Sequence, residues 1–197
     1  FLNKIIEIRD EIRNDNELSD RIRKKYSIKN VTGLNLLPFV IYDDPFDIIA
    51  HLMVGSEGTL AFLSEVTMKT EHDYPYSASA MLYFSNIKDA CRAVVAMKPG
   101  PVFSAELLDK KSLASVNDTT GTGTAVLTET KADTPEELQA NIEEIKKILS
   151  PFETVTPIHF TDKPEEYSKY WAIRSGIFPS VGGTRRPGTT VLIEDVA

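Results

Sequence analysis

His51-Leu-Met-Val-Gly-Ser-Glu-Gly-Thr-Leu-Ala-Phe-Leu-Ser-Glu-Val-Thr-Met-Lys69 passes from a helical apolar segment, through a glycine-bounded turn, into a strand-like run. The helix begins upstream: Asp44 is placed as an N-cap, Pro45 in the first turn, and Phe46, Ile49, Ala50 and Met53 recur on one helical face. Gly55 stops it. Leu60, Phe62, Leu63, Val66 and Met68 then form an apolar run with β-branched and aromatic members, the composition of a buried strand. In the turn Gly55-Ser-Glu-Gly-Thr59, two glycines permit positive φ or close approach of the backbone to a ligand. The N–H groups of such a turn can converge on an anion, and Ser56 and Thr59 add hydroxyl donors. A tight connection without a ligand satisfies the same pattern. It is no Walker loop, since no Gly-Lys-Ser/Thr follows, and it lacks the Gly-x-Gly-x-x-Gly order of a dinucleotide fold.

The rest of the chain reads as scaffold around this stretch. Residues 1–25 predict one or two helices, with Leu2, Ile5, Ile6, Ile8 and Ile12 facing a core and Asp15-Asn16 breaking the period before Leu18 and Ile22. Lys29 to Asn35 is a polar, glycine-containing connection in which Lys29 and Asn35 either reach a ligand or pin a turn. No element is predicted for Pro38 to Pro45. At Glu71-His-Asp-Tyr-Pro-Tyr76 the composition changes, and a domain boundary is expected there, dividing residues 1–72 from 73–197.

Beyond the boundary the pattern is strand (Ser79 to Phe84), helix (Ile87 to Met97) and strand (Val102 to Leu108). A short helix (Lys110 to Val116) and a loop (Asn117 to Gly123) come next. Then follow strand (Thr124 to Thr130), helix from Asp133 with Leu138, Ile142, Ile145 and Leu149 buried, strand (Val155 to Phe160) and helix (Lys163 to Phe178). With the short helix set aside, this is the order of a ferredoxin-like α+β sandwich.

Composition narrows the function. The chain has 197 residues, 42% of them hydrophobic, enough for a core in one or two domains. A net charge of −7 argues against a nucleic-acid partner, and Arg21-Ile-Arg-Lys-Lys25 reads as the solvated end of a helix. Cys91 is the single cysteine, which fits a reducing compartment and excludes a disulfide framework. His72 and His159 are isolated from metal-ligand spacings, so no metal site is expected. No run is apolar enough to span a bilayer. The start without Met and the end within an apolar strand pattern suggest a piece of a longer enzyme.

Single residues leave alternatives open. His51, on a mainly apolar helix, reads as a hydrogen-bonded core residue rather than a ligand. Glu57 suits a general base or a carboxylate bonded to nearby backbone N–H groups. Gly121-Thr-Gly123 reads as a plain loop. Trp171, Arg174 and Phe178 lie on neighbouring turns of one helix. A guanidinium fork suits a substrate carboxylate, although the spacing by itself favours a solvated or loosely paired arginine. Arg185 and Arg186, in a glycine-rich loop, either guide an anion or are solvated.

Three blocks in order carry a family resemblance: Lys29-Asn-Val-Thr-Gly33-Leu-Asn35-Leu, Gly55-Ser-Glu-Gly-Thr-Leu60, and Trp171-Ala-Ile-Arg174 through Gly188 to Ala197. Together they resemble the FAD-linked oxidases, which include D-lactate, glycolate-type and D-2-hydroxyglutarate dehydrogenases. Leu34 departs from the tyrosine usual in the first block, and Ile193 stands where some relatives place a substrate-binding lysine. The resemblance implies that residues 1–72 are the C-terminal part of a PCMH-type FAD-binding domain and 73–197 the start of a ferredoxin-like α+β substrate-side domain. It implies FAD as cofactor, with Lys29, Gly33, Asn35, Gly55, Ser56, Glu57, Gly58, Thr59 and Leu60 lining it and half of that site lying outside this chain. It further implies that Arg174 holds the carboxylate of a small-molecule D-2-hydroxy acid whose hydride passes to the flavin. The catalytic base and the electron acceptor are unassigned. The expected location is cytoplasmic, or peripheral to the inner face of a membrane. The competing expectation is a non-catalytic α+β ligand-binding or assembly module.

Overall fold

The computed structural model describes residues 1–27, 34–56, 58–118, 120, 123–183 and 185–189. They fall into two compact units, one within Phe1–Thr70 and the other beginning at Glu71.

The described part of the first unit is helical: α1 (Leu2–Asn14), α2 (Asn16–Lys25), α3 (Leu37–Ile41) and α4 (Pro45–Leu52). Asp15 ends the first period and caps the second helix, accepting the Leu18 N–H at 2.9 Å. Asp44 caps α4 ahead of Pro45, as the sequence predicts. Ile5, Ile12, Ile22, Phe39, Val40, Ile48 and Leu52 make the core. Arg13 ties the unit together, donating to the Phe39 carbonyl at 3.0 Å and the Tyr42 carbonyl at 2.7 Å and so satisfying backbone at the end of α3.

Two expectations for this unit need correction. The buried face of α4 is Ile48 and Leu52, one step round from the predicted Phe46, Ile49, Ala50 and Met53, and Phe46 is exposed. Leu60 to Met68 is not a strand: Phe62 is 92% exposed and Met68 78%. A strand needs partners for its N–H and C=O groups, and every described strand is paired within the second unit. α3 lies where no element was predicted.

In the second unit β1 (Tyr76–Phe84), α5 (Ile87–Met97), β2 (Ser104–Leu108), α6 (Lys110–Ser115), β3 (Thr124–Ala132), α7 (Pro135–Leu149) and α8 (Pro164–Gly183) follow in order. The sheet is antiparallel, ordered β1-β3-β2. Val155 to Thr161 lies against the other edge of β1, bonded at its two ends: the Val155 N–H donates to the Tyr83 carbonyl at 2.8 Å, and Thr161 and Ser79 exchange bonds at 3.0 Å. Between these anchors β1 advances from 79 to 83, four residues, while the returning segment runs from 155 to 161, six. The two extra residues, with Pro157 lacking a donor, prevent the regular strand predicted for Val155 to Phe160. The path is still that of a ferredoxin-like α+β sandwich.

Period-two alternation assigns the two sheet faces. Ala78, Ala80, Leu82, Phe84 and Val126 pack under α5 and α7. Met81, Tyr83, Leu108, Ala125 and Leu127 pack under α6 and α8. β1 is therefore buried on both sides from Ala78 to Phe84. α8 runs past the predicted end at Phe178 and includes Pro179.

Capping is explicit at α7. The Thr134 side chain accepts the Glu137 N–H at 3.1 Å, Glu137 accepts the Asp133 N–H at 3.0 Å, and Pro135 occupies the first turn. Thr134→Ala removes one acceptor and is expected to destabilise the start of α7 by about 1 kcal/mol. Hydrogen exchange of the Glu137 amide, accelerated roughly fivefold, is the check; unchanged exchange would mean the box contributes nothing.

Candidate functional site

The α8 face of the sheet is apolar at one end and polar at the other. β-pairing sets Ser79 opposite Glu129, Glu129 opposite Ser104, and Glu106 opposite Leu127, so Glu106 and Glu129 are diagonal neighbours. Over this row one turn of α8 brings two donors: Trp171 Nε1 donates to Ser79 Oγ at 3.3 Å, and Arg174 Nε donates to Glu106 Oε2 at 2.6 Å. Trp171 also packs into the apolar end, whereas Phe178 is exposed.

Each carboxylate of the row faces a cation. The Arg174 and Glu106 side chains are 48% and 33% exposed. Lys131 Nζ lies 3.6 Å from Glu129 Oε2 and 4.0 Å from the centre of the Phe103 ring. Burial pushes the Glu129 carboxyl above its ordinary range; Lys131 opposes this and the Glu106 charge adds to it. The Ser104 hydroxyl is buried with no partner among the described residues.

At the apolar end the Tyr83 hydroxyl donates to Asp118 Oδ2 at 2.7 Å. Burial, then this bond, raises the Tyr83 pKa. Burial works against the Asp118 carboxylate, but the bonds from Tyr83 and from the Thr120 N–H hold its pKa below the ordinary range. This pair fixes the start of the loop after α6, where Asn117 has φ 59°.

In the first unit, Gly55 and Gly58 have φ 81° and 75°, as the turn reading allows. Among the described residues a Cβ built on either meets nothing within 4 Å, so both glycines have space on that side. The Ser56 N–H donates to the Met53 carbonyl at 3.2 Å and the Thr59 N–H to the Ser56 carbonyl at 3.0 Å. The Thr59 hydroxyl donates to the same carbonyl at 2.6 Å. These donors serve the turn itself. Leu60 is half exposed. Asn35 accepts the Leu37 N–H at 2.9 Å and so pins the entry to α3. Lys29, Gly33 and Glu57 lie outside the described residues, as do Gly121 and Ile193. Gly55, Ser56, Gly58, Thr59 and Leu60 thus share one turn, and Arg174 belongs to the other unit.

His51 Nδ1 donates to the Asp47 carbonyl at 2.8 Å, and its ring stacks on Tyr42 at 4.1 Å, a packed position. His72 pairs with Asp133 and His159 with Glu166. Among the described residues no cluster suits a metal ion, and no helix is long and apolar enough to cross a membrane. Sequence reasoning missed Glu106, Glu129 and Lys131. The available signal was three charges in short strands whose other residues are mostly apolar or hydroxyl-bearing.

Residues 75–197 match the family described as FAD linked oxidases, C-terminal domain, and the chain belongs to this family of FAD-dependent oxidoreductases. Over 160 residues it is 28% identical to the D-lactate dehydrogenase (cytochrome), mitochondrial, of Arabidopsis thaliana, an alignment covering 75% of this chain. The chain spans 27% of the length of that relative. Family membership implies FAD, and the space that the described residues leave beside Gly55 and Gly58 suits the approach of a flat or anionic group to the backbone.

Proposed function

We propose that this chain is part of an FAD-dependent dehydrogenase that oxidises a D-2-hydroxy acid of the D-lactate or D-2-hydroxyglutarate class. The observation that carries it is Arg174, half exposed on α8 and held at the polar end of the sheet inside the region that defines the family. Similarity to a D-lactate dehydrogenase favours this acid class. Residues 1–72 act on the flavin side in this reading and 73–197 on the substrate side. Lys29, Gly33, Asn35 and the turn Gly55 to Leu60 would hold FAD, which supplies the two-electron acceptor when bound.

In this reading Arg174 receives the substrate carboxylate, since the planar fork of a guanidinium matches the two oxygens of a carboxylate. Trp171, anchored on Ser79, keeps this turn of α8 seated on the sheet. Together they orient the acid and leave proton removal from its hydroxyl to a base outside the residues assigned here.

The test is the flavin absorbance of the full-length gene product, followed anaerobically while D-lactate, D-2-hydroxyglutarate and their L forms are added. Bleaching by one D acid is expected and names the substrate. A folded full-length protein that carries no flavin, even after FAD is supplied, would overturn the enzyme assignment in favour of a non-catalytic α+β module.

A further inference from the structure

We infer that the outer face of α5 carries a binding groove for a free carboxylic acid with an apolar tail. α5 lies on the sheet face opposite α8, so this groove is separate from the polar row beneath Trp171 and Arg174. It measures about 450 Å³ and is lined by Lys88, Cys91, Arg92, Val95 and Ala96 of α5 and by Phe152, just beyond α7. α5 buries Ala90, Ala93 and Met97 in the core. On an amphipathic helix the opposite stripe is ordinarily polar. Here Cys91 is exposed and Val95 is 71% exposed, although a β-branched side chain gives the helix itself no advantage at that position.

The five helical residues fall at i, i+3, i+4, i+7 and i+8, so they form one stripe about 10 Å long. Lys88 and Arg92 mark its N-terminal half, and Val95 and Ala96 end it. Among the described residues Lys88 has no ion-pair partner, and Arg92 meets Asp89 at 3.4 Å in an exposed pair that contributes little. Asp89 also accepts from Asn86 Nδ2 at 2.8 Å. Two cations are therefore available to an anion in a chain whose net charge is −7. Their aliphatic stems add to the apolar walls while the charged heads stay at the water. A carboxylate head meets Lys88 and Arg92, and an alkyl tail lies along Cys91, Val95, Ala96 and Phe152. Six lining residues are far fewer than the roughly 20–30 that a protein partner covers on one side, and the volume is that of a small-molecule site.

The test uses the full-length, flavin-loaded protein with decanoate as probe, kept below micelle formation, and follows alkylation of Cys91 by mass spectrometry of its peptide. Decanoate is expected to slow alkylation at least about fivefold, because a tail in the groove blocks access to the thiol. Acetate, which has the head alone, and decyltrimethylammonium, which has the tail and the opposite charge, are expected to leave the rate unchanged. No slowing by decanoate overturns the inference. Equal slowing by decyltrimethylammonium overturns it by removing the carboxylate from recognition. Slowing by phosphatidylglycerol vesicles but not by decanoate overturns it in favour of a membrane surface.

Calorimetric titration with decanoate needs no reactive thiol and decides the matter if Cys91 resists alkylation throughout. It compares wild type with Val95→Asp and with the double variant Lys88→Ala, Arg92→Ala. These positions are exposed, so thermal melting is expected to match wild type. Val95→Asp removes the tail contact and the double variant the head contact, and each is expected to weaken decanoate binding about tenfold. Wild-type affinity in either variant overturns the inference, since head and tail are both required. Flavin bleaching by the 2-hydroxy acid is expected to be unchanged in both variants, because the groove lies on the other sheet face from α8. Loss of bleaching together with decanoate binding would make the groove part of the oxidation site and overturn its independence.

Discussion

Arg174→Ala is expected to lower kcat/KM of the full-length, flavin-loaded enzyme for its 2-hydroxy acid at least a hundredfold, about 3 kcal/mol of transition-state binding. Two parallel N–H donors to one carboxylate define both position and orientation of the acid. Hydrogen bonds to a charged group contribute about 1.5–3 kcal/mol each when they are shielded from water. The lost bond to Glu106 should cost the fold little. The contact with Glu106 is half exposed, and such a pair contributes roughly 1 kcal/mol or less. Arg174→Lys should recover little of the loss, because an ammonium supplies the charge without the planar fork. Anaerobic flavin reduction measures kcat/KM, and a melting curve on the same samples checks the fold. Wild-type kcat/KM in Arg174→Ala would remove the carboxylate clamp from the mechanism.

The Arg174 spacing was legible in sequence because Trp171 and Arg174 lie one turn apart on a helix whose existence the pattern predicts. Its partner was not. Glu106 comes from β2, separated from Arg174 by 68 positions, and only the sheet register brings them together. The strand at β1 and the start of α7 were also readable, since the run to Phe84 and Thr-Pro-Glu-Glu carry their causes locally. Leu60 to Met68 failed for the opposite reason: strand composition states a capacity for pairing, and no described strand of its own unit answers it. Val155 to Phe160 failed through a count that sequence alone does not show, six residues set against four of β1.

Gly123→Ala is expected to destabilise the second unit by about 3 kcal/mol, near the upper end for an overpacked site. Gly123 lies immediately before β3, and a Cβ there would stand 2.2 Å from the Phe84 carbonyl oxygen and 2.5 Å from that of Ser85. Both atoms are backbone. Phe84 pairs with Thr124 at this end of the ladder, and its side chain is fully buried under α5 and α7. Relief therefore requires β1 and β3 to part or Phe84 to leave its site.

Gly100 provides the control within the same unit. A Cβ on Gly100 meets Ile148 Cδ1 at 2.6 Å, the free end of a side chain that can turn aside, and the nearest backbone atom is the Met97 carbonyl oxygen at 3.2 Å. Gly100→Ala should cost about 1 kcal/mol or less. Trp171 is the single tryptophan of the 197-residue chain and bonds Ser79 of β1, so its fluorescence reports on this sheet during a urea titration. With a slope of about 2 kcal/mol per molar urea, the midpoint should fall by roughly 1.5 M for Gly123→Ala and by less than about 0.5 M for Gly100→Ala. Equal midpoints would mean that the end of the β1–β3 ladder opens at little cost, and the close approach at Gly123 would then be incidental to stability.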